Sequence, residues 1–215
     1  MNNENPIEAN YDLTKKSVIR KFYEKNKIFI YIAVASIFIV IASTLFYLDK
    51  KESKNINLSN DYIEAKIYIE NNDKDKAKKI LINIAEKSDG AYAAMSLFLL
   101  MKENLLEKEQ LRNLFDQILN KKSFDEETKN LIIFKKILFE SNYLDETELL
   151  EIAKPLLNSN SLWKPHALQL FGDYFVSKKE YKKAKEFYIQ ILSIKNLPQE
   201  FYSYAQTQLA LTSND

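Results

Sequence analysis

The side chains best suited to acid–base chemistry are a few carboxylates and one histidine. Asp125 with Glu126, and Glu146 with Glu148, are neighbouring carboxyl groups of the kind that act as general acid and base. His166 is the only histidine, and an imidazole transfers protons readily near neutral pH. However, the first turn of a helix attracts acidic residues, and a lone histidine is more often structural than a metal ligand. We therefore predict that the chain is not an enzyme and holds no metal or cofactor.

The composition excludes several further kinds of site. The chain has no cysteine, so it forms no disulfide, thiolate nucleophile, cysteine metal site or acylated-cysteine anchor. Its two glycines, Gly90 and Gly172, are isolated and cannot form a glycine-rich phosphate loop. The net charge is +1, and lysines and glutamates are interleaved along the chain. We therefore expect neither a nucleic-acid partner nor a small-molecule substrate.

Residues 28–48 form the most distinctive segment of the sequence. They contain no charge, glycine or proline. A helix of this length spans roughly 30 Å, the thickness of the hydrocarbon core of a bilayer. Soluble strands rarely run so far unbroken, and the apolar region of a cleavable secretory signal is shorter and lies closer to the N-terminus. We predict a single transmembrane helix at residues 28–48 that is not cleaved.

Basic residues predict the orientation of this helix. Six lie before it and three closely after it, and the more basic flank of a transmembrane helix normally stays in the cytoplasm. The six are Lys15, Lys16, Arg20, Lys21, Lys25 and Lys27, and the three are Lys50, Lys51 and Lys54. We therefore expect a bacterial inner-membrane protein with a cytoplasmic segment, residues 1–27, and a periplasmic domain beyond the membrane helix.

After a short polar linker, residues 49–57, the chain shows a helical pattern throughout residues 58–215. Apolar residues recur three and four positions apart, glycines and prolines are few, and no alternating strand pattern occurs. The predicted fold class is therefore all-α, with short connections between antiparallel helices. The nine predicted helices cover residues 58–71, 73–87, 91–102, 107–120, 125–141, 145–158, 162–177, 180–194 and 198–211. The suitable N-caps are Ser123 or Asp125, Asp145 with Glu148, and Ser161.

The C-terminal third contains a recognisable repeat. From Pro165 to Pro198 the chain covers 34 residues, and its order of small and aromatic residues resembles the tetratricopeptide repeat. Gly172 and Ala184 stand 12 residues apart, where small side chains in that motif let two helices approach closely. Stacking of such hairpins predicts a small α-solenoid, because each hairpin alone leaves one apolar face exposed. The accompanying aromatic residues are Phe171, Phe175, Tyr181 and Tyr188, and a weaker copy has Ala65, Tyr68, Ala77 and Leu81.

The order of these segments resembles one family of membrane proteins. The chain has a basic, aromatic segment (IRKFYEKNK), one membrane helix, tetratricopeptide-like hairpins and the stretch GAYAAMSLFLLMKENL from Gly90. Together these are similar to the YfgM-like ancillary subunits of the Sec translocon. The resemblance implies association with the protein-export channel through the membrane helix. It also implies that the helical domain meets periplasmic chaperones or emerging substrates, and that the chain carries no catalytic residues.

The resemblance to tetratricopeptide arrays implies a partner-binding groove, because the first helix of each hairpin lines such a groove. An ordinary solvated helix face is the alternative for each groove position. Trp163 also has two interpretations, namely packing between hairpins or anchoring a partner. The implied groove positions are His166, Gln169, Asp173 and Ser177 in the C-terminal repeat, and Tyr62, Lys66, Ile69 and Glu70 in the earlier copy.

A second function is compatible with the same sequence. The chain would then be a self-associating envelope scaffold that coordinates cell-wall or division machinery. Crosslinks from the groove distinguish the two, because channel and chaperone subunits support the first function and self-crosslinks support the second. An α-helical enzyme, the third possibility, would require a polar cluster inside the solenoid, and the sequence offers none.

Overall fold

All the regular structure in the described part of the chain is helical, as the sequence predicted. The computed structural model describes residues 13–87, 90–121 and 124–212, with side chains from residue 20 onward. Nine helices and no strands occur within these ranges. They are α1 (Leu13–Glu70), α2 (Lys74–Lys87), α3 (Ala91–Lys102), α4 (Lys108–Leu119), α5 (Glu126–Glu140), α6 (Glu146–Leu157), α7 (Lys164–Ser177), α8 (Tyr181–Ser193) and α9 (Gln199–Thr212).

Helix α1 is longer than any predicted helix because it runs without interruption through parts of four predicted segments: residues 1–27, 28–48, 49–57 and 58–71. The polar residues 49–57, which we expected to form a linker, are helical. This segment (DKKESKNIN) contains no glycine or proline, so no residue in it strongly disfavours a helix. The first of the nine predicted helices is therefore the C-terminal part of α1, and eight separate helices follow it in the described residues.

The chain divides into two compact units between Ile56 and Asn57. In the first unit the apolar part of α1 is bare, since none of its most apolar 18-residue window is buried. Bulky side chains exposed there include Phe29, Phe38 and Leu45. A core helix of a soluble domain would bury such side chains. Within the described residues, α1 is the one helix long and apolar enough to cross a membrane.

In the second unit, the predicted caps of α5 and α6 are confirmed, whereas the third suggested cap, Ser161, does not cap α7, whose N-cap is Trp163. The carboxylate of Asp125 accepts a hydrogen bond from the backbone N–H of Thr128, at 2.9 Å, and caps α5. Asp145 and Glu148 form the predicted reciprocal capping box at the start of α6. The other suggested cap of α5, Ser123, lies outside the described residues.

Three of the connections between helices share one turn geometry. The second residue after each helix adopts a left-handed conformation, at Asn72 (φ 60°), Asn104 (φ 50°) and Lys179 (φ 61°). In each turn the next amide donates to a carbonyl five residues earlier, which satisfies a backbone acceptor at the helix end. The bonds run from Asp73 to Tyr68 at 2.8 Å, from Leu105 to Leu100 at 3.0 Å and from Glu180 to Phe175 at 2.9 Å. The chain therefore makes the same type of turn in the links α1–α2, α3–α4 and α7–α8.

The core of the second unit consists of two adjoining apolar clusters. The first extends from Ala65 on α1 to Ile132 on α5, and the second from Ile137 on α5 to Ala205 on α9. Each helix from α2 to α9 contacts the next helix in the chain. The odd-numbered helices also touch in series, α3 with α5, α5 with α7, and α7 with α9. Helices α7 and α9 are therefore direct neighbours, although α8 lies between them in the chain.

Polar contacts join α4 to α5, where the two clusters meet. The guanidinium of Arg112 donates two hydrogen bonds to the carboxylate of Glu140, at 2.7 and 2.6 Å. Glu140 is fully buried, and its charge is therefore balanced inside the fold. The ammonium of Lys136 donates to the carboxylate of Asp116 at 2.5 Å. Both pairs connect the same two helices, which fixes their relative register.

Candidate functional site

The predicted groove positions of the C-terminal repeat lie along one side of α7. His166, Gln169 and Asp173 are half-buried, whereas Ser177 is exposed at the end of the helix. The neighbour that covers the first three is α9, which packs against both α7 and α8. These three side chains therefore take part in the contact between helices and also reach its solvent-facing edge.

His166 lies among three aromatic rings. Its ring centroid is 5.4 Å from that of Trp163, 5.8 Å from that of Phe134 and 4.9 Å from that of Phe201. Burial lowers the pKa of His166, nearby Lys135 lowers it further, and Glu200 opposes them. The imidazole is therefore a neutral aromatic ring at physiological pH. Within the described residues, no group of His, Asp and Glu side chains is arranged to hold a metal ion.

Trp163 packs between helices, the first of the two interpretations of this residue. Its ring stacks on Phe134 of α5, with centroids 5.9 Å apart, and touches His166 of α7. The residue immediately precedes α7, whose first turn contains Pro165. Because proline suits the first turn of a helix, α7 begins at Lys164 and not at the predicted Leu162. The tryptophan thus joins two neighbouring odd-numbered helices.

Asp173 connects α7 to both later helices. One oxygen of its carboxylate, Oδ1, accepts hydrogen bonds from the hydroxyl groups of Tyr188 on α8 and Tyr204 on α9, each at 2.7 Å. Gln169 and Tyr204 line the same small cavity beside this carboxylate. Ser177 donates to the carbonyl of Tyr174 on its own helix. The carboxylate of Asp173 therefore has two hydroxyl donors that tie the C-terminal helices together.

A concave cleft lies between α7 and α9, beside these residues. It contains a cavity of about 520 Å³ next to a smaller one of about 220 Å³. The two cavities share His166, Glu200 and Phe201 in their walls. Gln169 lines the smaller cavity, and the loops 160–162 and 194–198 line the larger one. We call this feature the α7–α9 cleft, and two predicted groove residues lie in it.

The sequence did not indicate the wall that α9 contributes to this cleft. Glu200 and Phe201 line both cavities, yet neither belongs to the repeat that ends at Pro198. Phe201 is buried in the second apolar cluster. Phe201 lies three residues after Pro198, in the first turn of α9, where its ring packs against the second apolar cluster. However, its neighbour on α7 is far away in sequence, so spacing alone did not identify the pair.

The predicted groove positions of the earlier copy lie on α1, in the second unit. Tyr62 and Ile69 are half-buried against the first apolar cluster, and Lys66 and Glu70 are exposed. The ring of Tyr62 lies 6.1 Å from that of Tyr92 on α3. These four residues are not among those that line the α7–α9 cleft. The two sets of predicted positions therefore belong to separate parts of the domain.

Three of the four carboxylates considered for acid–base chemistry are engaged at helix starts, and the fourth, Glu126, is exposed in the first turn of α5. Asp125 accepts from both the amide and the hydroxyl of Thr128, and these bonds lower its pKa. Glu148 completes the capping box of α6, and Glu146 accepts from the ammonium of Lys183 at 2.5 Å. The contacts of these three carboxylates are those of helix caps and an ion pair.

Comparison with known proteins gives no relative for this chain. No protein-family model matches it, and neither a curated protein nor a solved structure matches it at a significant level.

Proposed function

We propose that this protein is a membrane-anchored scaffold for protein–protein interaction, and specifically an accessory subunit of the Sec protein-export channel. Its helical domain meets periplasmic chaperones or emerging substrates. The observation that carries the anchored scaffold is the bare apolar surface of α1, none of whose most apolar window is buried. Such a surface needs a bilayer or a partner within one. The assignment to the export channel is supported by the resemblance of the segment order to that of YfgM-like subunits.

The helical domain is proposed to be a tetratricopeptide-like solenoid. Two observations support this arrangement: the three connections with the same left-handed turn, and the serial contacts among odd-numbered helices. In the clear repeat, Gly172 and Ala184 are both buried, as small residues at close helix approaches must be. Repeated local geometry combined with nearest-neighbour contacts is typical of solenoids.

The N-terminus is proposed to lie in the cytoplasm and the second unit in the periplasm of a bacterial cell. This topology follows from the excess of basic residues before the apolar segment. In this arrangement the α7–α9 cleft faces the compartment into which exported chains emerge. We assign partner binding to the α7 face, because His166 and Gln169 already line a concave surface there.

Self-association is the second candidate function, and an exposed apolar face on α1 favours it. In the second unit Ile63 is 51% exposed and Ile67 is 49% exposed, four positions apart on one side of the helix. Large apolar side chains grouped in this way commonly mark a contact surface. A second copy of the chain would cover them through the same face.

A pull-down from native membranes in mild detergent tests the proposal. The intact chain is compared with a variant in which residues 28–48 are replaced by an unrelated apolar helix of the same length, so that both remain membrane-bound. We expect export-channel subunits with the intact chain and a loss of these subunits with the replacement. Recovery of only further copies of the protein from both forms would instead support the self-associating scaffold.

A further inference from the structure

One of the two loops at the larger cavity of the α7–α9 cleft is held by a buried serine. The hydroxyl of Ser161 donates to the carboxylate of Glu127 on α5, at 2.8 Å. The backbone N–H of Leu162 donates to the same oxygen at 3.3 Å. The hydroxyl of Ser161 in turn accepts from the amide of Trp163, at 3.1 Å. The loop before α7 is therefore fixed to a neighbouring helix and not free at the surface.

The loop between α8 and α9, on the other side of the cavity, is held by a tyrosine. The hydroxyl of Tyr202 donates to the carbonyl of Ile194 and accepts from the amide of Leu197. Both loops are thus ordered by contacts within the chain. Binding of a ligand in the cavity would therefore cost little conformational entropy for ordering these loops, and such preorganisation favours affinity.

The cavity combines buried apolar walls with an exposed leucine. Pro165 and Phe201 line it and are buried, and Leu197 is half-buried. Leu162 lines the same cavity but is 78% exposed, which is unusual for a leucine on an ordered loop. An apolar side chain placed against Leu162 would remove the surfaces of both partners from water.

The charges that line the cavity are mainly positive. Lys164 and Lys195 contribute two ammonium groups, and neither has a carboxylate partner within the described ranges. Other lysines of the domain, such as Lys76 and Lys183, are paired with carboxylates. Glu200 is the single acidic residue in the wall. A ligand with negative charge would therefore be attracted more strongly than one with positive charge.

We propose that the larger cavity of the α7–α9 cleft binds an extended acidic polypeptide segment. An apolar side chain of the segment packs against Leu162 and Phe201, and its carboxylates lie beside Lys164 and Lys195. The inference rests on the proposed role as a protein-binding scaffold and names the chemistry of the partner. Charge complementarity and a preformed apolar cavity are the two features that select this occupant.

Fluorescence anisotropy on the full chain tests this inference. The protein is placed in nanodiscs of zwitterionic lipid, so that lipid charge does not compete for the lysines. Two fluorescein-labelled peptides of about ten residues share the same leucine and phenylalanine positions and differ in carrying either aspartates or lysines between them. We expect the acidic peptide to bind at least about tenfold more tightly, with an affinity that falls as salt is added.

Charge reversal identifies the lysines that are responsible. The double variant K164E/K195E should bind the acidic peptide about tenfold or more weakly than the unmodified chain does, and it should bind the basic peptide more tightly. The control K79E/K182E makes the same change of net charge at two exposed lysines outside the cavity, and it should leave both affinities nearly unchanged. A third variant, L162S, should weaken both peptides, because it removes the apolar wall.

Three results would overturn the inference: equal binding of the two peptides, equal effects of the two double variants, or no binding of either peptide at about 1 mM. The pull-down from membranes remains independent of these results. If channel subunits are recovered but neither peptide binds, the scaffold function is supported and the acidic ligand is ruled out. If the acidic peptide binds but no channel subunits are recovered, the cleft is supported as a peptide site and the export channel is ruled out as a partner.

Discussion

Tyr188 lies directly against the α-carbon of Gly172. A β-carbon at position 172 would come within 2.4 Å of Cε1 of Tyr188 and within 2.7 Å of its Cζ. Tyr188 is fully buried on α8, and Gly172 is buried on α7. The tyrosine ring therefore occupies the space that a side chain at position 172 would need. The two helices approach as closely as they do because one of them has no side chain at this point.

Replacing Gly172 with alanine should destabilise the helical domain by about 2 kcal/mol, because the added methyl group forces Tyr188 out of its packed position. Alanine is the better helix former by about 1 kcal/mol, and this gain offsets part of a larger packing cost. The change is measured by thermal unfolding of the full-length protein in detergent, followed by the fluorescence of Trp163, the only tryptophan.

The matched control is G90A, because a β-carbon at Gly90 meets nothing within 4 Å. Its backbone is extended, which any residue adopts, so the expected effect is below about 1 kcal/mol and reflects the poorer capping by alanine. Equal destabilisation by G172A and G90A would show that the tight contact with Tyr188 does not limit the packing of α7 and α8.

Much of the helical structure followed from local features of the sequence. The bounds of α3 were predicted to the residue, and α5 and α6 begin directly after the caps Asp125 and Asp145. Capping residues mark helix starts because they satisfy amides that the helix itself leaves unpaired. Residues 49–57 were harder, because a polar run without glycine or proline is compatible with both a helix and an irregular linker.

The stability of the domain should fall as the pH rises above about 10. Burial, and then the hydrogen bond to Asp173, raise the pKa of Tyr204 to about 12 and raise that of Tyr188 further. A tyrosine in the unfolded chain has a pKa of about 10. Between these two values the unfolded chain releases the Tyr204 proton while the folded chain keeps it, and the free energy of unfolding therefore decreases with pH. Below about pH 10 the contribution is fully present.

The variant Y204F should reduce this alkaline loss. It removes one hydrogen bond to a carboxylate, at a cost of about 1.5 to 3 kcal/mol at pH 8, and the difference from the unmodified chain should shrink at pH 11. Urea unfolding at the two pH values measures both effects. The control is Y181F, because the hydroxyl of Tyr181 makes no hydrogen bond within the described residues. A constant difference between Y204F and the unmodified chain at both pH values would contradict the assignment.

The ion pair of Arg112 with Glu140 should be much more important for stability than the exposed pairs. Removing the guanidinium in R112M leaves a fully buried carboxylate without its partner, which costs about 3 kcal/mol or more. The control is K154A, which breaks the pair of Lys154 with Glu151, both side chains being more than half exposed. That loss should be below about 1 kcal/mol. Urea midpoints of the two variants give the comparison, and similar shifts would argue against a buried pair.

The cleft was predictable only on its α7 side. His166 and Gln169 lie on the helix face that the repeat pattern selected, and the structure places both in a cavity wall. Asp173 was selected in the same way, yet its carboxylate is occupied by two tyrosine hydroxyls. The opposite wall depends on how α9 docks, and such docking between distant segments is decided by packing and not by local spacing. Lys164 and Lys195 are 31 residues apart in the sequence, and only the structure shows that both line the same cavity.

The orientation of the chain in the membrane can be tested directly because it contains no cysteine. A single cysteine introduced at Asn60, an exposed residue after the apolar segment, should react with a membrane-impermeant maleimide in intact spheroplasts. A cysteine introduced at Lys21, an exposed residue before the segment, should react only after the membrane is permeabilised. The unmodified chain is the blank in both conditions. The reverse pattern would place the α7–α9 cleft in the cytoplasm, and periplasmic chaperones and emerging substrates would no longer be possible partners for it.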